Sequence, residues 1–102
     1  MAGVAPPPER LEREYGCTEA EWLRWMREIT APVAHPSSAP ASLEIALEGG
    51  VLHLSWQVLP ARAIALVQLP RLSVQFRFDD VPPAARAAFM RRFDMHLQRG
   101  GG

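Results

Sequence analysis

Lysine is absent: all eleven basic side chains are arginine, and eleven carboxylate residues balance them. A chain with no net charge has no global field to gather nucleic acid or an anionic membrane, so any such binding would need a concentrated local patch. Cysteine occurs once, as Cys17, which rules out an internal disulfide. No apolar run approaches the ~20 residues that cross a bilayer, and no basic segment followed by a long apolar stretch marks a secretion signal. The expected location is the cytoplasm. Also missing are a glycine-rich phosphate loop, a cysteine pair and a serine nucleophile elbow, which removes the commonest catalytic signatures. The absence of lysine beside abundant alanine and proline matches the codon usage of a GC-rich bacterial genome.

What is present suits a folded domain. The 102 residues are 48% hydrophobic and 22% charged. A chain of that size buries roughly 60–70% of its unfolded surface. The expected organisation is a disordered tail over 1–8, a single α+β domain over 9–99 and a flexible C-terminus at 100–102. Pro6-Pro7-Pro8 favours extended backbone. The charges of Glu9 to Tyr15 suggest a short helical turn, stopped by Gly16.

The clearest local signal is Thr18-Glu19-Ala20-Glu21. A threonine hydroxyl that accepts from the amide three residues on, while the Glu21 carboxylate reaches back, is a capping box. The helix it opens, 18–30, carries Trp22, Trp25, Met26 and Ile29 on one face. Cys17 and Trp22 have the spacing of a hydrophobic staple, giving the thiol a packing role.

Pro32, Pro36 and Pro40 break the chain into a loop over 31–42. Beyond it the apolar period changes to two. Leu43, Ile45 and Leu47 predict a strand over 43–48, and Gly49-Gly50 a two-residue turn into a second strand, 51–58. That turn opposes Leu47 to Leu52, Ile45 to Leu54 and Leu43 to Trp56, every apolar residue meeting another. Further strands are expected at 62–69 and 71–78. Apolar residues sit at odd positions up to Leu69 and at even positions from Leu72. This flip favours a hairpin turn at Pro70-Arg71, with a bulged edge strand or a helix over 61–69 as rivals. A terminal helix, 82–98, follows an Asp80 cap, with Ala85, Phe89, Phe93 and either His96 or Leu97 as its buried stripe. The predicted fold is thus an antiparallel sheet of three to four strands, packed on one face by helices 18–30 and 82–98.

Site chemistry is sparse. His35, His53 and His96 fall on a loop, a strand and a helix with no ligand-pair spacing, so neither metal nor cofactor is expected. His53 and Ser55 share the outer sheet face diagonal to Glu44, which reads as solvated polar alternation before it reads as a hydrolytic centre. Cys17, among Glu14, Glu19 and Glu21, reads as a packed thiol, and Trp22 with Trp25 as core. Arg91, Arg92 and Arg99, beside three terminal glycines, resemble a nucleic-acid tail in only one copy.

One positive inference remains. Ile64 and Leu66 place aliphatic surface on the face that otherwise carries Ser73, Gln75 and Arg77, and a chain this short has few elements left to cover it. A non-catalytic interaction or accessory module is the leading expectation, a homodimer or protein complex formed around Ile64, Leu66, Gln75 and Arg77. The first alternative is a small-ligand protein or minor enzyme, with a cleft near His53, Trp56 and His35. The second is nucleic-acid binding through the arginine-rich last helix. No membrane partner is expected.

Overall fold

The computed structural model describes residues 7–30, 34–36 and 41–100. The chain is an α+β fold in which one antiparallel sheet carries two helices on a single face. Its strands are β1 (Arg10–Tyr15), β2 (Ala34–Pro36), β3 (Ser42–Leu47), β4 (Gly50–Ile64) and β5 (Val67–Asp79), in the spatial order β1-β5-β4-β3-β2. The helices are α1 (Glu19–Thr30) and α2 (Pro83–Gly100). The tail expected over 1–8 lies outside the described residues for positions 1–6, as do 101–102 of the C-terminus, while Gly100 belongs to α2.

Helix α1 begins as its capping box requires. The Glu21 amide donates to Thr18 Oγ1 at 3.1 Å, and the Thr18 amide donates to Glu21 Oε1 at 2.9 Å. Cys17, Trp22, Trp25 and Met26 are buried. On α2 the buried stripe is Phe89, Met90, Phe93 and Leu97, so Leu97 rather than His96 continues it. These faces meet the even-numbered side chains of β4 and β5, among them Leu52, Leu54, Val74 and Phe76. Phe93 is the hub: its ring lies 5.4–6.3 Å from those of Tyr15, Trp22, Phe76 and Phe89. Such aromatic contacts add ~0.5–1.5 kcal/mol each to the area they bury.

The hairpin β3–β4 keeps the expected faces but not the expected register. Ile45 opposes Leu52 and Leu43 opposes Leu54. The turn is Glu48-Gly49, because Leu47 pairs with Gly50. Gly49 supplies the positive φ, 79°, at the second central position. Gly50 answers a different demand: a Cβ there would lie 1.9 Å from the Asp79 carbonyl oxygen, so β5 can approach only a glycine. Pairing shifts by two residues, an even number, which leaves every side chain on its expected face.

Three further expectations are corrected. Residues 10–15 form the edge strand β1, not a helical turn. Leu11, Arg13 and Tyr15 are half-buried between exposed Arg10, Glu12 and Glu14, a period-two pattern whose backbone groups pair with β5. Within the stretch expected to be loop, Ala34–Pro36 adds a short edge strand on β3, where the missing proline N–H costs no interior pairing. The strands expected at 62–69 and 71–78 do not meet at Pro70-Arg71. Strand β5 runs unbroken through Pro70, β4 continues through Pro60, and they join at a two-residue turn, Ala65-Leu66. Leu59 pairs with Arg71 and Arg62 with Leu69, so Pro60 and Ala61 together oppose Pro70 alone. This is a β-bulge of one extra residue.

Candidate functional site

The long β4–β5 ribbon has two regions, divided where its flanking strands end, and the bulge lies just inside the outer one. On the body side, β3 flanks β4 as far as Ser55 and β1 flanks β5 as far as Leu72. Beyond those points the ribbon continues with no strand paired to its outer edges among the described residues, as a two-stranded arm spanning 57–71. The arm is exposed along almost its whole length, including Val58 (60%), Ile64 (53%), Val67 (55%), Leu69 (41%) and Leu66 (100%). Of the seven large hydrophobic side chains exposed among the described residues, these are five. An isolated two-stranded hairpin is marginal in water, so apolar surface here does little to hold the fold.

The apolar residues also change sides. In the body the even positions of β5, from Leu72 to Phe78, point to the helices and are buried. Pleat alternation puts odd positions on the opposite, outer face, and in the arm it is Val67 and Leu69 that are odd. Ile64 stands directly across from Val67. The parity flip read in the sequence is therefore a change of greasy face along a continuous strand.

The arm is anchored at its base. Arg71 Nε and Nη2 donate to the two carboxylate oxygens of Glu14 on β1, each at 2.9 Å, and Arg71 Nη1 donates to the Pro60 carbonyl at the bulge at 3.4 Å. This forked contact fixes the guanidinium plane. Arg71 holds the Glu14 carboxyl below its usual range, with Arg62 adding to the attraction.

The outer face of the body is polar and open. A broad basin of about 670 Å³ lies there, walled by Arg10, Glu12, Glu44, His53, Gln75 and Arg77. Cross-strand register sets four of its residues in one row, Arg10–Arg77–His53–Glu44, and the backbone of His35 on β2 continues that row. His53 is directly opposite Glu44, not diagonal to it, a consequence of the two-residue register shift. Its Nδ1 lies 3.3 Å from Glu44 Oε2 and its Nε2 3.8 Å from Asp79 Oδ2. Both ring nitrogens thus face carboxylates, and the side chain is 26% exposed, on a basin open to water.

The residues grouped as a possible cleft do not converge. Trp56 is buried on the helix face, where its Nε1 donates to Glu19 Oε2 at 2.8 Å, whereas His53 faces outward. His35 joins the row by backbone register only, its side chain lying outside the described residues. Of the expected interface set, Ile64, Gln75 and Arg77 share the outer face, and Leu66 stands at the arm's tip. Burial, with Glu21 adding to it, pushes the Cys17 thiol up to about 11, so at neutral pH it is a protonated packing group. On α2, Arg92 lies over the Phe89 ring at 5.8 Å and His96 Nε2 is 3.1 Å from Glu28 Oε1, while the Arg99 side chain lies outside the described residues.

Among the described residues no cluster of three or more His, Cys, Asp or Glu could hold a metal ion, and no helix is long and apolar enough to cross a membrane. Comparison with protein-family models, with curated proteins and with solved structures finds no match to this chain. The surface itself is the source of any functional reading. The arm was only half legible: Ile64 and Leu66 signalled it as apolar residues on a polar face, but its anchor, Arg71 on Glu14, pairs positions 57 residues apart and no local pattern announces it.

Proposed function

We propose that this chain is a non-catalytic protein-interaction module that docks through its projecting arm and the outer sheet face continuous with it. The observation that carries the reading is the placement of Ile64, Val67 and Leu69, exposed, adjacent across two strands and turned away from the helices, with Leu66 fully exposed at the tip. Isolated exposed leucines are ordinary, but aliphatic residues gathered on one projecting element are characteristic of surfaces that a partner covers. Proline at positions 60 and 70 supports docking by side chains. Each proline removes a backbone donor from the arm, which makes its edges poor templates for an added strand.

The partner is a second copy of the chain or another protein. Mass measurement by light scattering at tens of micromolar, together with recovery of bound protein from a lysate, tests the reading. Association is expected in the native chain and lost in Ile64→Ser/Leu66→Ser/Val67→Ser. A strictly monomeric native chain that retains no protein, or an association indifferent to those three substitutions, defeats it.

A further inference from the structure

The charges of the outer face select among the possible occupants of the arm. Every carboxylate that the strands place there has a partner on the same face. Ser73 Oγ donates to Glu12 at 3.1 Å, Arg71 holds Glu14, and Glu44 and Asp79 flank His53. The arginines are not matched in the same way. Arg10 and Arg77 are exposed cross-strand neighbours, and neither has a carboxylate within ion-pair distance among the described residues. Arg62, across from Leu69, shares Glu14 with Arg71 at longer range. Like charges directly opposite each other in a sheet oppose folding slightly, so the Arg10–Arg77 pair has no rationale within the isolated body.

From this we infer that the outer face receives a different protein, one presenting an aliphatic cluster to the arm and carboxylates to Arg10 and Arg77. The inference rests on the reading of the arm as a docking element and adds the chemistry of its partner. A second copy fits poorly. A two-fold dimer uses the same patch on both subunits, and this patch would set arginine against arginine, or against carboxylates already engaged. Leu69 and Arg77 are eight residues apart on β5, about 26 Å at the rise of an extended strand, so the partner surface spans that distance. Between them Ser73, Gln57, Ser55 and Gln75 offer hydrogen bonds, the polar surround that interfaces place beside an apolar anchor. Charge at such a rim acts on association rate and salt dependence more than on dissociation.

A random dodecapeptide phage library panned on the full chain supplies the probe, and the recovered peptides are then measured by fluorescence anisotropy. Recovered peptides are expected to combine Leu, Ile or Val with at least two acidic residues. Arg10→Gln/Arg77→Gln should weaken them about tenfold and flatten their salt dependence, while the Tm stays unchanged or rises because a like-charge pair has been removed. Ile64→Ser/Leu66→Ser should abolish binding. Peptides without acidic residues that ignore Arg10→Gln/Arg77→Gln yet fail on the arm variant would overturn the acidic partner and leave the docking arm standing. Peptides indifferent to both variants, or no peptide above background, would overturn both. So would binding of phosphatidylserine vesicles through Leu66 in place of any peptide, which would make the occupant a lipid surface.

Discussion

Strands β4 and β5 pass through two environments, and the comparison separates what folds this chain from the surface proposed here for docking. In the body their even-numbered side chains lie under α1 and α2, and Leu52, Leu54, Leu72 and Val74 are almost wholly buried. In the arm the same ribbon carries as many aliphatic residues, yet they remain in water. Aliphatic content does not distinguish the two regions; coverage does. Bulge and anchor lie at the base of the arm, where the extra residue at Pro60-Ala61 releases the ribbon from the register of the body and Arg71 ties it to β1. Stability thus resides in the body, and the docking we propose resides in the arm.

The sharpest contrast is in the core. Phe93→Ala removes the ring shared by Tyr15, Trp22, Phe76 and Phe89, and should cost about 3–5 kcal/mol in equilibrium denaturation. A cost near that of a surface site would mean that the helices do not clamp the sheet as described. Next is Gly50→Ala, where the new methyl meets the Asp79 carbonyl and β5 must move away. A loss of about 2 kcal/mol or more is expected, by analogy with overpacked interiors. Unchanged stability would show that β4 and β5 approach less closely than the structure has them.

How far the sequence disclosed all this differs between the regions for a physical reason. Elements whose signal is local were readable: the Thr18–Glu21 capping box, the Trp22–Trp25–Met26 stripe, and the alternation of β3, β4 and the second half of β5. Where two local signals competed, the reading slipped. Gly49-Gly50 resembles a turn pair, but Gly50 is glycine for the sake of a strand contact with Asp79, and only coordinates distinguish those demands. Residues 10–15 carry charge at four of six positions, which masked the alternation of Leu11, Arg13 and Tyr15. The Ala65-Leu66 turn was invisible because neither residue favours turns. Ala65 sits at φ 53°, a conformation usually left to glycine or asparagine. Pro70-Arg71 attracted the turn instead, being the only punctuation at the point where apolar parity changes. The outer-face aliphatics at Ile64 and Leu66 were legible as an anomaly, but the arm that bears them depends on a bulge and a long-range ion pair.

A smaller effect sharpens the boundary. Because Arg71 favours the charged form of Glu14, that carboxyl should titrate below its ordinary value of 4.5, followed by NMR of the carboxyl carbon. The sign follows from the lowered value: the contact contributes fully above the unfolded-state pKa and is lost as the pH falls through the folded one. Arg71→Ala should return the titration toward the ordinary range and speed amide exchange in the arm, leaving the exchange of β3 and α2 unchanged. Equal acceleration throughout the body would break the division.

Equilibrium unfolding of Ile64→Ser/Leu66→Ser/Val67→Ser tests the central claim most directly. The account predicts a midpoint and slope close to those of the native chain, since each of those side chains is already more than half exposed in the folded state. A midpoint lowered toward that of Phe93→Ala would contradict it, because the arm would then belong to the core.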